Sequence, residues 1–154
     1  MATKIKLNIA AWSYKDFNKF MEAASSGNQE EQFRLASKLI LSWEYDVPFE
    51  KGILALGVAE GAEVLRTIMD VIRVISEDLD VSDVRVNFSK WDTARFLDFM
   101  AASKESQYDK VVRMLHEVAR IEGVNPGDDL EFQDGIRMMK AVTDHYRKLI
   151  TGKN

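Results

Sequence analysis

The chain contains few of the residues that mark disulfide-bonded, thiol-dependent or loop-rich proteins. Its 154 residues include no cysteine, two prolines, two histidines and eight glycines. The absence of cysteine excludes a disulfide framework and thiolate metal sites, and it is compatible with the cytosol. The scarcity of proline and glycine leaves long segments without helix breakers, which favours a helical protein.

Long apolar runs are also missing. No run reaches the roughly 18 residues that a membrane-spanning helix needs. The N-terminal stretch has lysines at alternate positions, a pattern that does not fit the apolar core of a signal peptide. We therefore expect a soluble, cytoplasmic protein without a membrane partner.

The chain has no excess of positive charge. Its net charge is -4, with 9 basic and 12 acidic residues in 1–78, and 12 basic and 13 acidic residues in 79–154. A nucleic-acid-binding surface usually needs a basic patch to contact phosphates, so we expect no nucleic-acid partner. The hydrophobic fraction of 46% predicts a packed core rather than disorder.

One stretch of the chain occurs twice. Residues 4–12 recur 79 positions later, at 83–91, with basic, amide and indole residues in register. The matching pairs are Lys6 with Arg85, Asn8 with Asn87, and Trp12 with Trp91. Near the end of each copy the spacing becomes 74, where Gly61 matches Gly135. This self-similarity predicts an internal tandem duplication, with repeat 1 in 1–78 and repeat 2 in 79–154.

Each repeat is predicted to hold one strand and three helices. Residues 4–10 and 84–88 alternate between polar and apolar, which indicates half-buried strands. We expect these two strands to pair antiparallel with each other across a pseudo-twofold axis, since a lone strand leaves backbone groups unsatisfied. The fold class is mainly α with a small two-stranded antiparallel β element, in one compact unit. The first predicted helix follows a cap at Ser13 or Asp16 and ends near 25, and the fourth follows a cap at Asp92 or Thr93 and ends near 104. The other predicted helices cover 29–43, 58–77, 107–122 and 130–150.

Motifs for catalysis, cofactors or metals are absent from the sequence. There is no Gly-x-Ser-x-Gly, no phosphate-binding Gly-x-x-x-x-Gly-Lys and no second histidine four residues after His116. His116 and His145 lie outside the repeated framework, so we expect them at the surface or rim. The acidic loop at 125–131 lacks the spacing of a calcium loop, and Asp128 or Asp129 is expected to cap the last helix. We expect no enzyme activity, cofactor or metal.

Large apolar residues in two places are candidates for binding a partner. In the connector around Pro48 these are Trp43, Tyr45, Val47 and Phe49; alternatively, this loop folds back over its own lobe. In the third helix, Val64, Val71 and Val74 lie outside the Leu65–Met69–Ile72 stripe. A partner, a second copy of the chain or the other lobe would bury them. By contrast, Trp12 and Trp91 are expected to anchor the core, each with its indole N–H on a carbonyl.

The first repeat also resembles a known family. The short apolar strand, the run Trp12-Ser13-Tyr14-Lys15-Asp16-Phe17, and a helix that ends in Leu41-Ser42-Trp43-Glu44-Tyr45-Asp46-Val47-Pro48 are similar to those of phage and prophage tail assembly chaperones. The second repeat departs from this pattern, with Glu122-Gly123-Val124-Asn125 in place of the Trp-Glu-Tyr-Asp run. The resemblance implies tail tube or tape-measure proteins as partners, and no catalytic residues.

Three functions are therefore open from the sequence. The first is a non-catalytic assembly chaperone or adaptor, with phage tail components as one class of partner. The second is a small-ligand sensor or an enzyme with its pocket between the two lobes. The third is a structural subunit that self-assembles into a homo-oligomer.

Overall fold

The computed structural model describes residues 4–105, 107–124 and 130–152. Within these residues, six α-helices and four short strands follow the same order, β-α-α-β-α, in the first half (4–78) and the second half (79–152). The mainly α fold with small antiparallel β elements is confirmed. The elements are β1 Ile5–Leu7, α1 Tyr14–Ser26, α2 Gln29–Ser37, β2 Ile40–Trp43, α3 Val58–Asp78, β3 Val84–Val86, α4 Thr93–Lys104, α5 Tyr108–Val118, β4 Ala119–Ile121 and α6 Phe132–Thr151.

Local capping explains where the first helix begins and ends. The Ser13 hydroxyl accepts a hydrogen bond from the Asp16 amide at 3.1 Å, and the Asp16 carboxylate accepts one from the Ser13 amide at 3.2 Å. This reciprocal pair satisfies two amides that the first helical turn leaves free. Gly27 ends the helix with φ of +76°, a conformation that glycine adopts without steric cost. Of the two residues predicted to cap α1, Ser13 and Asp16, the structure has Ser13 as the cap.

The predicted pairing between the two repeated strands is wrong. The structure has two separate two-stranded sheets, in which β1 pairs with β2 and β3 pairs with β4, both antiparallel. In the first sheet Ile5 lies opposite Trp43, and in the second Val84 lies opposite Ile121. Each strand thus finds a partner inside its own half, which closes a shorter loop than pairing across the molecule would.

The same pairing shortens two of the predicted helices. α2 ends at Ser37 instead of 43, and α5 ends at Val118 instead of 122. The apolar residues at 39–43 fit a helical face and a strand equally well, because the run is too short to distinguish the two periods. Pairing with β1 decides in favour of a strand, since it satisfies the backbone of both segments.

Several hydrogen bonds recur at the spacing of the sequence repeat. The Asn8 amide donates to the Leu39 carbonyl at 2.7 Å, and the Asn87 amide donates to the Val118 carbonyl, also at 2.7 Å. Asp92 caps α4 through the Arg95 amide, at the positions that correspond to Ser13 and Asp16. The two halves therefore share local structure, while their origin by duplication and their pseudo-twofold relation stay predictions.

The duplicated tryptophans lie in different surroundings. Trp12 is fully buried, its indole N–H donates to the Leu35 carbonyl at 2.8 Å, and its ring lies 4.9 Å from that of Phe20. The predicted core anchor is thus confirmed for Trp12. Trp91 is only half-buried, and its indole N–H donates at 2.8 Å to the carboxylate of Glu117 instead of a backbone carbonyl.

Helix α6 connects the two halves. It packs against α5, β3 and β4 of its own half and against α1 and α3 of the other. The Lys140 ammonium donates to the carbonyls of Ser76, Glu77 and Leu79 at 3.0–3.1 Å, at the end of α3. A cation at this end of a helix also interacts favourably with the helix dipole. In the part of the chain that is described, no helix has both the length and the apolar character to cross a membrane.

Candidate functional site

The connector after β2 is held by its own aromatic residues. The Trp43 indole N–H donates to the Val47 carbonyl at 2.7 Å, which closes the turn at Pro48. The ring of Phe49 lies 4.9 Å from the Trp43 ring in an edge-on arrangement, and the ring of Tyr45 lies 6.1 Å from it. Edge-on aromatic pairs are a favoured geometry, so these three rings form one ordered cluster.

Tyr45 connects this cluster to α3 through a hydrogen bond. Its hydroxyl donates to the Glu63 carboxylate at 2.9 Å, and the Lys4 ammonium lies 5.8 Å from the ring centroid. Burial of the phenol, followed by the hydrogen bond to the Glu63 carboxylate, raises the pKa of Tyr45 to about 12. The connector therefore folds back over its own half, as in the alternative left open by the sequence, and Trp43, Tyr45 and Val47 are all partly buried.

Three apolar side chains along the connector stay accessible, and we call them the connector surface. Phe49 is 41% exposed, Leu54 71% and Val58 93%. Only Phe49 was among the candidates from the sequence. Residues 44–60 also carry four acidic side chains and one basic one, so the segment that holds this apolar surface is acidic. The acidic residues are Glu44, Asp46, Glu50 and Glu60.

The three candidate valines of α3 differ in accessibility. Val64 is fully buried, Val71 is half-buried and Val74 is exposed. The prediction that Val64 is available to a partner is therefore wrong. The buried face of α3 consists of Gly61, Val64, Ile68 and Ile72. This face is rotated from the Leu65–Met69–Ile72 stripe expected from the sequence, because so many positions of α3 are apolar that their spacing does not select one face.

A groove of about 690 Å³ lies between the two halves. Its volume is in the range of roughly 300–1,000 Å³ that small-molecule sites occupy. Elements of both halves line it: α1 and the end of α3 on one side, and α4, α5 and α6 on the other. Its apolar lining consists of Phe17, Met21, Val111, Ile136 and Met139, and its charged rim consists of Arg73, Glu77, Lys104, Lys140, Asp144 and Arg147.

The rim of this groove carries four cations and two anions. Arg73 lies 3.5 Å from the Glu77 carboxylate, and Arg147 lies 3.6 Å from that of Asp144. Such exposed pairs contribute only about 0–1 kcal/mol. Within the described residues, the Lys104 ammonium has neither an ion pair nor a hydrogen bond. The rim is therefore locally positive on a chain whose net charge is -4.

Two polar side chains lie where the groove meets the core. Asn18 is almost fully buried, and its side-chain amide donates to the Tyr14 carbonyl at 3.0 Å. Tyr14 is also buried, and burial raises the pKa of its phenol well above the ordinary value. The phenol therefore stays protonated at neutral pH.

The remaining sequence candidates show no assembled chemical site. Among the described residues, no group of three or more His, Cys, Asp or Glu side chains could hold a metal ion. His145 is half-buried and lies against Phe88, with 5.4 Å between ring centroids, and His116 is also half-buried. The expected caps Asp128 and Asp129 lie outside the residues that the structure describes.

Comparisons with protein-family models, with curated proteins and with solved structures find no match to this chain.

Proposed function

We propose that this chain is a non-catalytic, protein-binding adaptor of the assembly-chaperone kind, which docks its partner on the connector surface. The observation that supports the proposal is that the Phe49 ring is exposed and yet held in place. Its ring packs edge-on against Trp43, which is itself held by the hydrogen bond to Val47. An aromatic side chain that is ordered before binding loses little conformational entropy when a partner covers it.

The charge around the connector surface indicates what kind of segment it would bind. Residues 44–60 have a net charge of -3, so the complementary partner presents an apolar segment flanked by Lys or Arg. The resemblance of the first repeat to phage tail assembly chaperones makes a tail component with such a segment the first partner to test. A second copy of this chain is the alternative occupant.

The test compares two double variants with matched exposure. Phe49→Ala with Leu54→Ala alters the connector surface, whereas Leu149→Ala with Ile150→Ala alters two side chains at the end of α6 that are 61% and 67% exposed. Tagged wild type and both variants are used to capture partners from the native source. The partner's basic, apolar segment is then made as a peptide and titrated against each protein.

We expect the connector double variant to raise the Kd of the peptide by about tenfold or more, since exposed aromatic and aliphatic anchors dominate many interfaces. The α6 double variant should change it less than about twofold. The affinity should also fall as salt is added, because residues 44–60 carry a net negative charge. Equal losses in both variants, or a captured protein without a basic segment, would contradict the proposal. Concentration-dependent dimers abolished by the connector variant would favour self-assembly instead.

A further inference from the structure

We propose that the groove between the two halves binds an amphipathic small molecule with an apolar chain and an anionic head group, with Lys104 at the head-group end. This goes beyond the adaptor role and does not depend on it, because the groove and the connector surface share no residue.

The lining of the groove suits an apolar chain. Phe17 and Met21 come from α1, while Val111, Ile136 and Met139 come from α5 and α6. Methionine side chains are flexible and polarisable, so they adapt to an apolar ligand of irregular shape. Burial of a chain against these residues would be favoured because it removes apolar surface from water.

The charges of the rim favour a negatively charged head group. Lys140 already donates to three carbonyls at the end of α3, and Arg73 and Arg147 each face a carboxylate. Among the described residues, Lys104 is the rim cation without such a partner. Its ammonium can therefore pair with a carboxylate or a phosphate without breaking an existing contact.

The experiment uses three probes with the same chain and different heads: dodecanoate, dodecyl phosphate and dodecanol. The two anions are used below their micellar concentrations, and dodecanol below its solubility limit. Binding to the full chain is measured by calorimetry, and the site is located from NMR shifts of the Met21 and Met139 methyl groups. Lys104→Gln removes the proposed head-group contact. Lys148→Gln, which alters an exposed lysine of α6 outside the groove lining, is the matched control.

We expect at least one anionic probe to bind saturably and shift both methyl resonances, and dodecanol to bind more weakly. Lys104→Gln should raise the Kd of the anionic probe about fivefold or more, and Lys148→Gln less than about twofold. Binding of only one anionic probe would identify the head group.

Three results would overturn the proposal: no saturable binding of either anion, equal binding of dodecanol, or equal effects of the two lysine variants. The Phe49→Ala/Leu54→Ala protein should bind the probe like wild type. If this variant loses binding to the protein partner but still binds the probe in the groove, the two proposals are tested independently.

Discussion

Gly135 of α6 lies directly against the ring of Tyr14 in α1. A Cβ atom at position 135 would lie 2.1 Å from Cγ of Tyr14 and less than 3 Å from two further ring atoms. The clash involves Cγ, the ring atom nearest the backbone, so rotating the Tyr14 ring about its Cβ–Cγ bond does not relieve it. This contact joins the two halves of the molecule, because α1 belongs to the first and α6 to the second.

We predict that Gly135→Ala lowers the free energy of unfolding by about 3 kcal/mol or more, the upper range for overpacking a core. The control is Gly61→Ala, at the matching position of α3. There a Cβ would meet the Phe33 ring at 3.5 Å, an ordinary contact. The free energy of unfolding of Gly61→Ala should stay within about 1 kcal/mol of wild type. We expect it to be slightly higher, because alanine is a better helix former than glycine. Urea unfolding measures both, and equal stabilities would contradict the packing argument.

Lys140 should stabilise the junction of α3 and α6. Lys140→Met removes three hydrogen bonds to the carbonyls at the end of α3, and we expect a loss of about 1–3 kcal/mol. Lys148→Met, on an exposed side of the same helix, should change stability by less than about 0.5 kcal/mol. Thermal and urea unfolding of both variants test this, and indistinguishable effects would show that the three bonds contribute nothing measurable.

Trp43 is expected to act through the structure of the connector rather than as a free docking residue. Trp43→Ala removes the hydrogen bond to Val47 and the support under Phe49, and should cost about 2–4 kcal/mol, typical of truncating a packed large side chain. Phe49→Ala truncates a more exposed ring, so it should lower the free energy of unfolding by less than about 1 kcal/mol. It should nevertheless weaken partner binding. The comparison requires unfolding and binding data on both variants. A stable Trp43→Ala protein with full loss of binding would make Trp43 the direct contact.

The stability of the protein should decline above pH 10 partly through Tyr45. The unfolded chain releases this phenolic proton near the ordinary tyrosine pKa of about 10, whereas the folded chain, with a pKa of about 12, retains it longer. The unfolded state therefore loses its proton first, and the free energy of unfolding falls as pH rises between these values. Tyr45→Phe removes this component, so its stability should fall less steeply than that of wild type from about pH 10 to about pH 12. Parallel curves from urea unfolding at several pH values would contradict the assignment.

Helix starts were predictable because their causes lie within a few residues. Ser13 and Asp92 are short polar residues that accept hydrogen bonds from the first turn of α1 and α4. A buried core position was predicted for both Trp12 and Trp91, since large aromatic residues are usually buried. Only Trp12 is fully buried, whereas the half-buried Trp91 donates its indole N–H to the Glu117 carboxylate.

The face of α3 that enters the core was not predictable from spacing. Val64 and Leu65 both belong to plausible apolar stripes, and the sequence pattern does not choose between them. Packing against α2 and β1 selects the face that contains Val64. The partial burial of Trp43 and Tyr45 depends in the same way on Val47 and Glu63, which the fold brings next to them.

Composition, capping residues and periodicity thus determined that this chain is a mainly helical protein with short strands at repeated positions. These features depend on interactions between residues that are close in the sequence. The strand partners, the Gly135–Tyr14 contact and the groove beside Lys104 depend on segments that are far apart in the chain. The Gly135–Tyr14 contact and the groove arise where α6 packs across both halves, whereas the strands pair within each half. Both depend on burial and hydrogen bonding that only the folded chain provides.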